Sequence, residues 1–155
     1  MAAVTPAAFP VSGTVLTAAE YNKLPRGVVF YNLVTANQTG IASTVVDLTN
    51  MTAATWTAVS GRTYRTTVYI PEIQQLTSGG TAVFRITDAS NVNKQFGDMT
   101  AATNDFYSIN MQVIETGLSG SVTRKARAST TAGTLSLLMA ATSPGFIMVE
   151  DIGAS

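Results

Sequence analysis

The chain has 155 residues, 46% hydrophobic and only 12% charged, with nine basic and nine acidic side chains and a formal net charge of zero. It contains neither Cys nor His, which removes disulfides, thiol nucleophiles, His-based triads and most zinc or copper sites. Zero net charge gives no general attraction to nucleic acid or an anionic membrane. A charged fraction about half the ~25% of ordinary domains leaves a polar, mostly uncharged surface suited to packing against other subunits.

The length fits one domain with a short appendage. The opening "MAAVTPAAFPVSG" has no basic start and no sustained apolar run, so it does not read as a secretory signal. No stretch approaches the ~18 apolar residues of a membrane-spanning helix, so no membrane insertion is expected. Pro6 and Pro10 lie among small residues and suggest an extended arm. The stretch "GTVLTAAEYNKLPRGVV", Gly13 to Val29, reads as a short capped helix. Thr17 and Glu20 have the spacing of a capping box, and Leu16 with Tyr21 that of a hydrophobic staple. Leu24-Pro25 ends the helix, because proline disfavours helical geometry in the residue before it. A helix of about two turns is marginal alone in water and needs its own domain or a partner to lean on.

From Arg26 onward the pattern has period two, broken by turn residues. "GVVFYNLV" ends at "NQTG", Asn37 to Gly40; "IASTVVDL" and "TWTAV" follow, then a turn at Ser60-Gly61. In "RTYRTTVYI", Tyr64, Thr66, Val68 and Ile70 share a face, and in "AVFRIT" Phe84 and Ile86 lie opposite Val83 and Arg85. "DFYSINMQVIE" places Tyr107, Ile109, Met111 and Val113 on one face, read as buried, and Ser108, Asn110 and Gln112 on the other. "SVTRKARA", "AGTLSLLMAA" and "GFIMVEDI" complete roughly nine short strands, the spacing of an all-β sandwich or barrel rather than of βαβ units.

The chemistry-bearing residues are scattered. Glu150 and Asp151 are adjacent, but neighbours on a strand face opposite ways, so the pair is not placed to share a proton or a metal. Asp98 and Asp105 flank "MTAATN" with a spacing that matches no defined calcium loop, and they read as solvated loop acids. No G-x-S-x-G occurs, and a serine nucleophile would lack a histidine base. "TSGGT" carries no Lys and opens no helix, which argues against a phosphate loop. Arg124, Lys125 and Arg127 form the densest basic group; alternation puts Lys125 and Arg127 on one face, read as a solvated strand face. Two sequons, at Asn37 and Asn50, are of the frequency chance allows, and Trp56 reads as a core anchor. No catalytic residue, cofactor or metal is expected.

The segment "GTVLTAAEYNKLPRGVV" resembles one common near the start of small tail-associated and fibre-like virion proteins of tailed bacteriophages, in which an "LTAAxLN" helix runs into "LPRGV" and the first strand. Tyr21 stands where those proteins often have Leu. The ending "GFIMVEDIG", Gly145 to Gly153, is similar to the closing strand of the same group, and "VTANQTGI" and "SGRTYRTTVYI" are similar to its first and middle strands. Residues 88–105 carry no such likeness.

The resemblance implies a head similar to the trimeric jelly rolls of the complement-C1q and tumour-necrosis-factor type, a β-sandwich. It implies an attachment arm over residues 1–25, with Leu16, Thr17, Glu20, Tyr21, Leu24 and Pro25 docking on another virion protein, and a head over residues 26–155. The expected function is a non-enzymatic structural protein on the phage particle surface, made in the bacterial cytoplasm, of tail-fibre or minor-tail type. A capsid decoration protein is the alternative, and a carbohydrate-binding module a distant third. A homotrimer is expected, because a chain this apolar and uncharged carries more apolar strand than one sandwich buries. A host glycan or protein would be met by the longest connection, Asp88 to Asn104, read as a recognition loop at the end of the head away from the arm and carrying Asn91, Asn93, Lys94, Asp98 and Asn104.

Overall fold

Alternating side chains leave a strand on opposite faces, so a chain of short alternating segments can bury one face of each by stacking two sheets. The computed structural model does this, and it describes residues 18–51, 53–75, 80–100 and 106–155. The elements are α1 (Ala18–Tyr21), β1 (Gly27–Val34), β2 (Gln38–Ile41), β3 (Val46–Asp47), β4 (Ala54–Ala58), β5 (Arg62–Gln75), β6 (Thr81–Asp88), β7 (Asn93–Thr100), β8 (Phe106–Glu115), β9 (Gly120–Thr130), β10 (Leu135–Leu138) and β11 (Gly145–Ala154).

Several strands run end to end. β1 and β2 pair in line with β11 and β10, which lie in line along one flank of β5, while β8 takes the other flank. Sheet A is therefore four lanes wide: β1/β2, β10/β11, β5 and β8. Sheet B is also four lanes wide, in the order β3/β4, β9, β6 and β7. All the pairings are antiparallel, and the chain passes between the sheets in the order A, B, A, B, B, A, B, A. That is the double Greek key of a jelly roll, so the fold is an all-β jelly-roll sandwich with a short helix before it.

The core lies between the sheets. Ile70, Ile73, Ile147, Val149, Leu135 and Leu137 from sheet A meet Phe84, Ile86, Ala126 and Ala128 from sheet B. The alternation read in the sequence holds: Tyr64, Thr66, Val68 and Ile70 are buried together, and so are Phe84 and Ile86. Tyr107, Ile109, Met111 and Val113 share the inner face of β8, but only Met111 is fully buried, because β8 is an edge strand and has cover on one flank alone. Trp56 is a core side chain, with its ring 5.7 Å from that of Tyr64. Gly145 opens β11 where a Cβ would lie 2.6 Å from the sulfur of Met139, so the close approach of these segments requires glycine there.

Three expectations change. The helix has one turn among the described residues, closed by the Asn22 N–H on the Ala18 carbonyl at 3.0 Å. "NQTG" does not end a strand, since Gln38–Ile41 is itself β2, and the run "IASTVVDL" is divided between β2 in sheet A and β3 in sheet B. The span read as a loop from Asp88 to Asn104 holds a strand in its described part, residues 88–100: a tight turn at Asn91, whose φ is +67°, leads into the eight-residue β7.

Candidate functional site

Three surfaces could carry function: the root of the arm and the outer face of each sheet. At the root, Arg62 opens β5 and Asp151 lies near the end of β11; both point inward and are only 3% and 1% exposed. The Arg62 Nε donates to Asp151 Oδ2 at 2.8 Å and Nη2 to Oδ1 at 2.5 Å, and the Gly153 N–H also donates to Oδ1 at 3.1 Å. The rest of the guanidinium fork reaches the chain leaving α1. Its Nη1 donates to the Asn22 carbonyl, and its Nη2 donates to the Leu24 carbonyl at 2.7 Å. Two backbone bonds complete the clamp, from Arg26 N–H to the Asp151 carbonyl at 3.2 Å and from Ala154 N–H to the Lys23 carbonyl at 3.3 Å. Arginine suits this position because one planar group can meet a carboxylate and two carbonyls at once. The sequence reading missed the pair because its members are 89 residues apart.

Of the six candidate arm residues, Tyr21, Leu24 and Pro25 are exposed beside this clamp. Leu16 and Thr17 lie outside the described residues, as does the side chain of Glu20, so the capping box falls outside them too.

The outer face of sheet A is apolar and aromatic. β1 presents Val29, Tyr31 and Leu33, with Tyr31 53% and Leu33 49% exposed. Register carries the patch across the sheet: Leu33 stands opposite Phe146, which stands opposite Tyr69, and Tyr31 stands opposite Met148. The Phe146 ring lies 5.9 Å from that of Tyr31 and 5.5 Å from that of Tyr69, so three aromatic rings form a row. Ile114 on β8, 61% exposed, stands apart from the patch, opposite Arg65 and beside Gln112. A single rung of charge lies beside the patch, and that rung is self-neutralised: Arg65 Nη2 meets Glu150 Oε2 at 2.8 Å. Glu150 and its neighbour Asp151 therefore serve opposite faces, as alternation requires.

The outer face of sheet B has hydroxyls and ions instead. Thr55 and Thr123 hydrogen-bond across β4 and β9 at 2.9 Å, as do Thr81 and Thr100 across β6 and β7 at 3.0 Å. One rung runs Asp47, Arg127, Arg85, Phe96 in register through all four lanes. Asp47 accepts from Arg127 Nε at 2.6 Å and pairs with Lys125 Nζ at 3.3 Å. A shallow cleft of about 340 Å³ lies beside it, floored by Leu48, Met51 and Ala126. Lys125 and Arg127 thus share the outer face as expected. Arg124 does not lie on a solvated surface: it is buried, with two bonds of 2.7 Å to the Glu115 carboxylate and its guanidinium 5.9 Å from the Trp56 ring.

The four candidate recognition residues that are described, Asn91, Asn93, Lys94 and Asp98, are strand and turn residues at the arm end of the sheet or along its edge. Asn91 sits in the β6–β7 turn, on the same end of the sandwich as the arm root, and its side chain accepts from Lys125 Nζ at 3.0 Å. Asn93 and Lys94 begin β7, and Asp98 lies further along it. Asn104 is outside the described residues. The turn is organised by Asp88, whose Oδ1 accepts the N–H groups of Ser90 and Val92, each at 2.9 Å, while Lys94 Nζ meets its Oδ2 at 3.1 Å. The Val92 N–H is the largest influence holding the Asp88 carboxyl below the usual carboxylate range; desolvation opposes it, and Lys94 and the Ser90 N–H add to the lowering. Among the described residues no group of three or more acidic side chains could hold a metal ion.

No family model matches the chain, and no curated protein matches it. Among solved structures it is similar to a carbohydrate-binding module of Cellvibrio mixtus lichenase 5A, solved in complex with cellotriose, at 14% identity over 86% of this chain and 93% of that one, with a TM-score of 0.37. That likeness is too slight to carry a ligand from one chain to the other.

Proposed function

We propose that this chain is a non-enzymatic structural protein on the surface of a tailed bacteriophage virion, of tail-fibre or minor-tail type, that assembles as a homotrimer and docks through its N-terminal arm. The observation that supports assembly is the contrast between the two outer faces. One sheet meets solvent with hydroxyls and ions, while the other turns Val29, Tyr31, Leu33 and Phe146 outward. A contiguous apolar patch on a sandwich is the mark of an interaction surface. The Arg65–Glu150 pair beside it cancels its own charge, which lessens like-charge repulsion where copies meet. Three-fold closure, the virion location and the docking role of Tyr21, Leu24 and Pro25 follow the sequence resemblance. The Arg62 clamp supports that role by giving the arm a defined direction where it leaves the head.

Sedimentation of the full chain tests assembly. Wild type should run as a trimer at micromolar concentration, and Tyr31→Asp should run as a folded monomer, because a charge then faces the partner's apolar patch. A wild-type protein that stays monomeric across that range overturns the assembly. Labelled microscopy of intact particles tests location: signal on the tail supports the reading, signal on the capsid replaces it with the decoration reading, and absence from particles overturns both.

A further inference from the structure

We infer that the outer face of sheet B binds a carboxylate-bearing polysaccharide, a chain of uronic-acid type, along the rung that ends at Arg85 and Phe96. The inference rests on the surface-protein reading, in which sheet A is covered by other copies and sheet B faces outward. Phe96 is a large apolar ring on an edge strand, in the middle of a polar face, and 51% of it is exposed. The Arg85 guanidinium lies 5.6 Å from its centroid, a cation over an aromatic ring. One guanidinium nitrogen of Arg85 donates to Ser129 Oγ at 3.1 Å, which fixes the group from the side. Among the described residues Arg85 has no carboxylate partner, whereas Arg62, Arg65, Arg124 and Arg127 each have one. An arginine carries five N–H donors in a fork matched to a carboxylate, so an oriented guanidinium remains open to an anion from solution.

The neighbouring groups say what kind of anion fits. Among the described residues this face carries Arg85, Lys125 and Arg127 with Asp47 and Asp98; Lys125 and Arg127 share Asp47, no ion pair joins Arg85 to Asp98, and Arg85 is the cation left to a negative ligand. The exposed ring beside the cation offers an apolar platform to the C–H face of a pyranose. The paired hydroxyls of Thr81 and Thr100 lie on the same face, and each oxygen keeps a lone pair able to accept from a sugar hydroxyl. The rung from Asp47 to Phe96 crosses three inter-strand steps, roughly 14 Å at ~4.8 Å each, the length of a short oligosaccharide rather than of one sugar. Inorganic phosphate would use the cations but not the ring, and a neutral glucan would use the ring but leave Arg85 unmatched.

The test is calorimetric titration of the full-length assembled protein with galacturonate and mannuronate oligomers, with their methyl esters and with polyglutamate as comparisons. Saturable binding of a uronate oligomer is expected, together with loss on methyl esterification and weakening as salt is raised. Arg85→Gln should weaken binding about tenfold or more, the scale of a hydrogen bond to a charged group, and Phe96→Ala should weaken it by a similar factor through lost apolar contact. Both side chains are at least partly exposed, so the folded head should survive either change. The assignment is overturned if neither uronate binds, if the esters or polyglutamate bind equally well, or if both variants bind like wild type. Failure of binding by a protein that still forms trimers on virions removes the glycan site and leaves the structural role standing; a protein that binds uronate but never assembles does the reverse.

Discussion

Sheets A and B resemble each other from inside and differ from outside. Each supplies an inner face of Ile, Val, Leu, Phe and Ala to one core. Outward, sheet B alternates apolar with Thr, Ser and ions, the usual pattern of an antiparallel sheet with one solvated face, whereas sheet A is largely apolar on both sides over Val28–Val34 of β1 and Phe146–Val149 of β11. The comparison teaches that strand composition here answers two demands. Burial in the core accounts for one face of each strand; among the described residues the second apolar face of β1 has no partner, and the proposed assembly would give it one.

The sharpest way to probe this contrast is to compare two ion pairs formed by β5 and β11 on opposite faces of sheet A. Arg62–Asp151 is buried and Arg65–Glu150 is half exposed. Asp151→Ala strands the Arg62 guanidinium inside the protein and should cost about 3–5 kcal/mol by urea denaturation. Glu150→Ala should cost under about 1 kcal/mol in the monomer. Equal costs would mean that the outer face of sheet A is already as enclosed as the core.

The next effect in size concerns the arm root. A chain beginning at residue 22 keeps the carbonyls that Arg62 engages, and one beginning at residue 27 loses them. The shorter chain should be less stable by about 1–3 kcal/mol, the scale of leaving buried donors unmade, while the longer one should unfold like the full protein. If both truncated chains unfold like the full one, Arg62 is satisfied without the arm, and the clamp is not what orients it.

Changes on the outer faces should affect monomer stability less and assembly more. Leu33→Asp on sheet A and Thr55→Asp on sheet B each replace an exposed side chain, so both monomers should unfold within about 0.5 kcal/mol of wild type. Only Leu33→Asp should shift the sedimentation coefficient toward the monomer. A similar shift from Thr55→Asp would move the interface to the wrong sheet.

The smallest effect is a pH dependence confined to the β6–β7 turn. Asp88 is held below its ordinary value near 3.8, chiefly by the Val92 N–H. A carboxyl depressed in the folded state contributes stability that is present above its unfolded value and lost as pH falls through its folded value. Amide exchange at Ser90 and Val92 should therefore quicken only below about pH 3.8, and Asp88→Asn should remove that pH dependence. Protection unchanged down to acid-unfolding conditions would show that the backbone alone holds the turn.

Parity was legible in the sequence wherever a strand has one apolar and one polar face. Tyr64 to Ile70, Phe84 with Ile86, and Tyr107 to Val113 could be assigned to faces from alternation alone, because a period of two leaves a single apolar side to bury. β7 was not legible. Its sequence "NKQFGDMT" carries Asn, Gly and Asp and no apolar alternation, because an edge strand in which no residue is fully buried needs none. Reading it as a loop put Asn93, Lys94 and Asp98 in a connection that does not exist and hid the position of Phe96 beside Arg85.

What the sequence determined by itself was local: many short strands, their spacing, the face of each alternating strand, and the exclusion of Cys and His chemistry. These follow from side-chain geometry and residue type over a few positions. Tertiary structure alone decided which face of "GVVFYNLV" meets the core, since nearly every residue there is apolar and both faces look alike in sequence. It also decided that Arg62 would find Asp151 and the carbonyls of Asn22 and Leu24, and that Asp47, Arg127, Arg85 and Phe96 would stand in one rung. Such contacts join residues far apart along the chain, and only the pairing of lanes in the folded sandwich brings them within reach.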